Sequence, residues 1–311
     1  MLCAISVDLD EIPHYHAIHG LRAPSGASAH AIYEIALPRV EAFSRAHHVP
    51  LTLFVVASDL EASSAPSQLG DLARKGHEVG NHSLHHHYDL YRRTREEMVE
   101  QVREAADRIE QVTGQRPAGF RAPGYRLSDR LVEVLETCDV AYDSSLFPCP
   151  YYYMAKAGVL GAMRVARRRS AATLASPAEL AAPVRPFRMG RPYWRRGKGL
   201  LELPIQVTRK ARLPFIGTAL TLAGPWGARM ITRDVVGEPF INLELHGLDF
   251  LGGDDGLDDL VPHQLDLRIP VERKLEALSI VVEALRHAGY RFVRLAEAAA
   301  ELSAKTEAGA R

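Results

Sequence analysis

Two aspartates one residue apart, Asp8 and Asp10, follow the apolar run Leu2 to Val7. Side chains of an extended backbone alternate with period two, so both carboxylates leave the same face. One can hold a cation while the other takes a proton. Alone, a D-x-D after a strand more often ends it in an Asx turn. A second group is His82-Ser83-Leu84-His85-His86-His87, directly after Gly-His-Glu-Val-Gly-Asn. His82 and His86 are four residues apart and share a face if this stretch forms a helical turn; His85 and His87 leave the register open. Two imidazoles and a carboxylate from another strand end make a His2Asp set with coordination positions left for water and substrate, as a hydrolytic metal site requires.

The elements that must position these groups alternate. Leu2 to Val7, Leu51 to Val56, His77 to Asn81, Gly119 to Ala122, Val140 to Asp143, Leu200 to Val207, Pro239 to His246 and Tyr290 to Val293 read as extended. Helices are predicted between them. Pro38 fits a first turn, Ser67 to Lys75 stops at Gly76, and Ser128 caps a helix through Cys138. Thr94 with Glu97 forms a capping box for a helix ended by Gly114, an amphipathic helix spans Val271 to His287, and an Ala-rich helix ends the chain. Seven or eight such units predict an α/β fold, a distorted (β/α) barrel with a parallel sheet. In barrels chemistry gathers at the C-terminal strand ends, where Asp8, Asp10, His82, His86, Arg121 and His246 all fall.

The motifs in this order resemble the NodB-homology polysaccharide deacetylases (carbohydrate esterase family 4) over most of the chain outside a basic segment. Val7 to Asp10 resembles the family's Asp-rich first motif, and His82-Ser83 with His86 its H-[ST]-x-x-H motif. Arg121-Ala122-Pro123-Gly124-Tyr125 resembles its R-x-P-x-Y motif, and Leu243-Glu244-Leu245-His246 loosely resembles its L-x-H motif. The resemblance implies one divalent metal ion, Zn with Ni, Co or Mn as alternatives, on Asp10, His82 and His86. It implies Asp8 as base, Arg121 as the group that orients it, the Tyr125 backbone N–H as an oxyanion donor, and His246 as acid. Leu9 separates the aspartates, whereas the common family form has them adjacent; this variant resembles the branch with lipid-linked sugar deformylases and cyclic-amide hydrolases. Glu244 stands where the family pattern has leucine. The acid that should orient His246 is left open between Asp143 and Asp249.

A formal net charge of zero hides an asymmetry: residues 151–235 carry 16 Lys and Arg against Glu179, Glu202 and Asp234. We expect a single domain over 1–311 that includes 151–235 as a basic, partly apolar insertion. Tyr151 to Ala166, followed by Arg167 to Arg169, has the composition of an interfacial helix. Leu213 to Ala228 is apolar but too short and too broken by glycine and proline to span a bilayer. Either segment can face an anionic membrane, or can pack on the core with a solvated rim. We expect no secretory leader ahead of Leu2 and hence a cytoplasmic location, with a peripheral place on the inner face of the cell membrane as the alternative. Cys3, Cys138 and Cys149, odd in number and widely spaced, read as packing residues. The expected activity is hydrolysis of an acetyl or formyl group from an amino sugar, lipid-linked through a polyprenyl phosphate or otherwise anionic. A cyclic-amide hydrolase and a non-catalytic, membrane-associated metal-binding protein are the alternatives; no nucleic-acid partner is expected.

Overall fold

The first strand, β1 (Leu2–Leu9), is buried along its whole length, and its two faces meet different surroundings. Cys3, Ile5, Val7 and Leu9 join a cluster with helix residues such as Val40, Leu72 and Leu278. Leu2 and Ala4 turn the other way, toward Phe54, Tyr142 and Phe240, and Ser6 and Asp8 continue that inner row. The inner row thus changes from apolar to polar toward the C-terminal end of the strand.

In the computed structural model, which describes residues 1–24, 26–61 and 64–308, eight more strands follow. They are β2 (Leu51–Val55), β3 (Glu78–Asn81), β4 (Gly119–Phe120), β5 (Tyr142–Asp143), β6 (Phe187–Met189), β7 (Arg196–Glu202), β8 (Phe240–His246) and β9 (Arg291–Val293). They form one sheet in the order β6-β7-β5-β4-β3-β2-β1-β8, with β9 beside the first residues of β1. All pairings are parallel except β6 with β7. Past β7 the chain reaches across to β8, where the Gln206 N–H donates to Asn242 O at 3.0 Å and Ile216 bridges Glu244. The curled sheet is the distorted (β/α) barrel that the alternation predicts.

The helices are α1 (Ile12–His19), α2 (Leu37–His47), α3 (Ala65–Arg74), α4 (Arg95–Thr113), α5 (Asp129–Thr137), α6 (Pro150–Val165), α7 (Gly217–Val235), α8 (Val271–His287) and α9 (Leu295–Ala308). The predicted capping box opens α4: Thr94 Oγ1 accepts the Glu97 N–H at 3.2 Å and Glu97 accepts the Thr94 N–H at 2.9 Å. Helix α9 closes the N-terminal end of the barrel. Its first N–H groups donate to Thr52 Oγ1 and Glu78 Oε2, both at 2.9 Å, and Leu295 and Ala298 pack with Leu2 and Phe240. Tyr142 donates to the other Glu78 oxygen at 2.7 Å, and its ring lies where a Cβ on Gly119 would stand. Gly119→Ala is therefore expected to cost about 1–3 kcal/mol by overpacking. Urea unfolding measures this; an unchanged midpoint would mean that Tyr142 can yield.

The basic segment is divided between barrel and surface. β7 is a barrel strand whose exposed Arg196 to Lys198 lead into buried Leu200 to Glu202, and α7 covers the barrel beside α8. The apolar stretch Leu213 to Ala228 belongs largely to α7, which buries Leu220, Thr221 and Ala228 and bends at Gly224, where φ is 65° ahead of Pro225. Glycine and proline masked this helix in the sequence because both disfavour helix interiors; here Gly224 supplies the left-handed residue at the bend. By contrast, α6 has no buried residue.

Candidate active site

At the C-terminal rim, Asp8 lies in register with Phe54 on one side and His246 on the other. Asp10 follows one residue beyond β1, and His82 follows β3 directly. The His82 Nδ1 donates to the Arg121 carbonyl at 2.7 Å, which turns Nε2 toward Asp10 Oδ1 at 3.1 Å and Asp8 Oδ2 at 4.0 Å. His86 Nε2 is 3.5 Å from the same Asp10 oxygen. One ligand atom from each of Asp10, His82 and His86 lies within 4.8 Å of the others.

The helical turn considered for these histidines does not form. Ser83 and His86 take φ of 70° and 51°, and the loop is tied by side chains instead. Asn81 Oδ1 accepts the Ser83 N–H at 2.8 Å, Ser83 Oγ accepts the His86 N–H at 3.1 Å, and Gln101 on α4 accepts the His85 N–H at 3.0 Å. His82 and His86 converge, whereas His85 is exposed and His87 half-buried. The His14 ring packs 4.7 Å from that of His86 and is held by Asp59 at 3.2 Å.

This trio fits a cation. Asp10 Oδ1 and both ring nitrogens of His86 are buried without a hydrogen-bond partner, a condition that costs about 1–3 kcal/mol per group unless something occupies the space between them. Burial opposes charge on Asp10, but His86 and His82 outweigh it and hold the carboxyl well below its usual range. Burial also pushes the His86 imidazole well down, against the pull of Asp10. An ionised carboxylate and a neutral imidazole are the forms that bind metal. For His82 burial acts downward, yet the Asp10 and Asp8 carboxylates raise it, so proton and cation compete for Nε2.

Beside the trio, Arg121 is fully buried with every arm engaged. Nη1 donates to Asp8 Oδ1 at 2.5 Å, Nη2 to Ser6 Oγ and Ser144 Oγ at 2.9 Å each, and Nε to Ser144 O at 2.8 Å. Its guanidinium lies 4.2 Å over the Phe54 ring. Burial raises the Asp8 carboxyl, opposed by Arg121, His82 and His246. Its second oxygen points toward His82.

On the opposite side, His246 Nδ1 lies 2.8 Å from Glu244 Oε1, and the Tyr125 hydroxyl is 3.3 Å from His246 Nε2. Neither acid considered as a partner for His246 reaches its ring. Asp249 Oδ2 accepts the His246 backbone N–H at 2.8 Å and Oδ1 faces Thr218 Oγ1 at 3.2 Å. Asp143 accepts from the Ser145 N–H and Oγ at 3.0 and 2.8 Å. The Tyr125 N–H, expected to face an oxyanion, donates instead to Ala122 O at 2.9 Å, because Pro123 to Tyr125 close a tight turn with Tyr125 at φ 63°. Sequence reading missed the support residues Ser6, Ser144 and Asn242 as well as Glu244. For Ser6, Asn242 and Glu244 the signal is the polar residue at alternate positions of an otherwise apolar strand; Ser144 directly follows β5 and has no such signal. Asn242 ties this layer together, donating to Ser144 Oγ at 2.9 Å and Leu203 O at 3.0 Å.

Helix α6 reaches this region through Tyr152, whose ring is 6.0 Å from that of Tyr125, and Lys156, whose Nζ lies 3.4 Å from Gly124 O. Lys156 is half-buried, and loss of water around its amine, with the Arg126 cation nearby, pushes it down to about 8.

Comparison with known proteins matches residues 18–142 to the family model described as polysaccharide deacetylase. That span holds His82, His86, Arg121 and Tyr125; Asp8, Asp10 and His246 lie outside it. A peptidoglycan deacetylase of Helicobacter pylori (strain ATCC 700392 / 26695) is 26% identical over 157 residues, 49% of this chain and 53% of that protein. The chain thus spans about half the length of the curated relative it matches. Among solved structures, a protein described as a polysaccharide deacetylase from Mycobacterium smegmatis superposes with a TM-score of 0.62 at 16% identity, covering 98% of this chain and 91% of that one. An allantoinase superposes with a TM-score of 0.61 at 16% identity, covering 97% and 90%. Both similarities are of fold, and they are nearly the same in extent.

Proposed function

We propose that this chain, which resembles the NodB-homology polysaccharide deacetylases, is a metal-dependent hydrolase that removes an N-acyl group, acetyl or formyl, from an amino sugar. The observation that carries this reading is the position of Asp8. It stands 4.0 Å from His82 in one cluster and within 4.8 Å of Glu244 and His246 in the other, between a cation site and a proton donor.

A divalent ion on Asp10, His82 and His86, with Zn favoured by the two-imidazole, one-carboxylate set, supplies Lewis-acid chemistry that acidifies water and polarises an acyl carbonyl. The chain's own groups do the rest. Asp8 takes a proton from the attacking water, and Arg121 holds it ionised and aimed. His246 returns a proton to the departing nitrogen, because an amine anion is too poor a leaving group to depart unprotonated. As the C–N bond breaks its electron pair stays on nitrogen, and the products are a carboxylate and a free amine.

For the substrate we favour an amino sugar carried on a lipid phosphate. Supporting this, α6 exposes Met154 and Val159 and is followed by Arg167 to Arg169, while its Tyr152 and Lys156 touch the site. An apolar face with cations at its end suits an anionic membrane surface, each cation contributing about 1 kcal/mol. No helix of the described residues is long and apolar enough to cross a membrane. Other cations of the segment are engaged by acids outside it, Arg185 by Glu238 at 2.7 Å and Arg191 by Glu133 at 2.5 Å. The allantoinase fold match keeps a cyclic-amide hydrolase as the second reading.

The test is a screen of N-acetylated and N-formylated amino sugars, free and on polyprenyl phosphate, beside cyclic amides, read as acetate, formate or ring opening. Release from a sugar supports the proposal; activity confined to cyclic amides replaces it. Flotation with phosphatidylglycerol vesicles is expected to carry the protein upward, less so after Met154→Glu with Val159→Glu. Failure of the unaltered protein to float would remove the membrane part.

A further inference from the structure

We infer that Glu244, which stands where the family pattern has leucine, is the positioning residue of the acid, holding the His246 ring through Nδ1 so that Nε2 faces the departing nitrogen. This rests on the reading of His246 as proton donor.

Four observations carry it. Glu244 and His246 are two residues apart on β8, so both project inward, while Leu243 and Leu245 project into the outer core. Glu244 is fully buried, and a buried carboxylate persists only beside positive charge or donors; among the described residues neither of its oxygens has another hydrogen-bond partner, so the ion-pair contact with the His246 ring, 2.8 Å from Nδ1 to Oε1, is what balances its charge, with the Tyr125 hydroxyl beside the pair. The backbone of the same histidine is fixed independently, by Asp249 on its N–H, so the Glu244 contact governs the ring and not the chain. Lastly, Asp249 and Asp143 are committed elsewhere. Charges agree: burial opposes the ionised forms, yet each partner offsets it for the other, Glu244 lying low and His246 well above its usual value.

Leucine occupies this place in the family pattern, which makes Glu244→Leu the natural comparison. In 15N-edited spectra of the metal-loaded protein, a His246 Nδ1–H resonance, assigned by its loss in His246→Asn, is expected in the unaltered protein and in Glu244→Gln and absent from Glu244→Leu. In parallel, acyl release from the best N-acyl amino sugar of the screen is set against hydrolysis of 4-nitrophenyl acetate, whose leaving group departs without a proton. Glu244→Leu is expected to slow the amide about 100-fold and the ester less than about threefold, with metal content unchanged; Glu244→Gln falls between. A disturbance of structure alone would slow both substrates together, and that outcome, or a resonance that survives in Glu244→Leu, would overturn the inference. Should Glu244→Leu not fold, the amide-to-ester split in Glu244→Gln decides. If the unaltered protein releases nothing from any sugar, the proposed substrate fails while the resonance still tests the Glu244 contact.

Discussion

His82→Ala is expected to release the ion and lower turnover by about 10³-fold or more. The estimate follows from a Lewis acid being worth several kcal/mol in the transition state, each 1.36 kcal/mol being a factor of ten. His82 is the ligand whose loss has the clearest consequence. Its Nδ1 contact to the Arg121 carbonyl at 2.7 Å fixes the ring, and its Nε2 is the nitrogen nearest to Asp10. Without it, Asp10 and His86 retain two donors, too few for a site that must also keep positions open. Metal analysis after dialysis, with a Zn back-titration, measures the loss, and His85→Ala serves as the control because that ring is exposed. Full metal content in His82→Ala would refute the ligand set. Because carboxylates raise the His82 proton affinity, occupancy is also expected to fall as pH is lowered, the proton taking Nε2.

How much of this was legible beforehand depends on whether a residue's role follows from its own strand. Asp8 and Asp10 could be placed because β1 is long and apolar and period two does the rest. The capping box of α4 and the barrel alternation are equally local. His82 and His86 were singled out for a geometry that does not occur: spacing alone suggested a helical turn, whereas left-handed Ser83 and His86 bring the rings together. Glu244 was visible as a departure from a pattern and as one of the alternating polar residues Asn242, Glu244 and His246, but that this face of β8 turns inward is known only once Ser6 on the neighbouring strand and the buried Arg121 are seen beside it. The Tyr125 N–H failed as an oxyanion donor because a tight turn closed on it, and a turn's internal bond is not written in R-x-P-x-Y. Helix α7 was hidden by its own bend.

The same polar interior explains why the site tolerates so many buried charges. Going up the inner row of β1, Leu2 and Ala4 meet apolar neighbours, Ser6 meets Arg121, and Asp8 meets Arg121, His82 and His246. The apolar base and α9 keep water from the foot of the barrel, and the low polarity below strengthens the pairings above. A charge in this layer is stable only as a member of the whole set, so removing one member has two consequences, chemical and structural.

Asp8→Asn separates them. The variant is expected to keep its metal, since Asp10, His82 and His86 remain, and to lose about 10²- to 10⁴-fold in turnover through loss of the base. It also leaves the Arg121 guanidinium buried without its counter-ion, a change that costs about 3–5 kcal/mol, less whatever Ser6, Ser144 and Phe54 still provide. Arg121→Leu makes the reciprocal error, leaving Asp8 ionised in a buried layer. Its carboxyl, already raised by burial, then rises further. A carboxyl whose folded-state pKa lies above the unfolded value of about 3.9 binds protons more tightly when folded, so stability is present below that value and is lost as pH climbs through the raised one. Arg121→Leu should therefore lose more stability, relative to the unaltered protein, at pH 8 than at pH 5. The double variant removes both charges and is expected to regain most of the lost stability, giving a large coupling in urea unfolding, but none of the turnover. Recovery of activity with stability would mean that Asp8 serves the fold alone; additive losses in the double variant would mean that the pair is not coupled as its 2.5 Å contact requires.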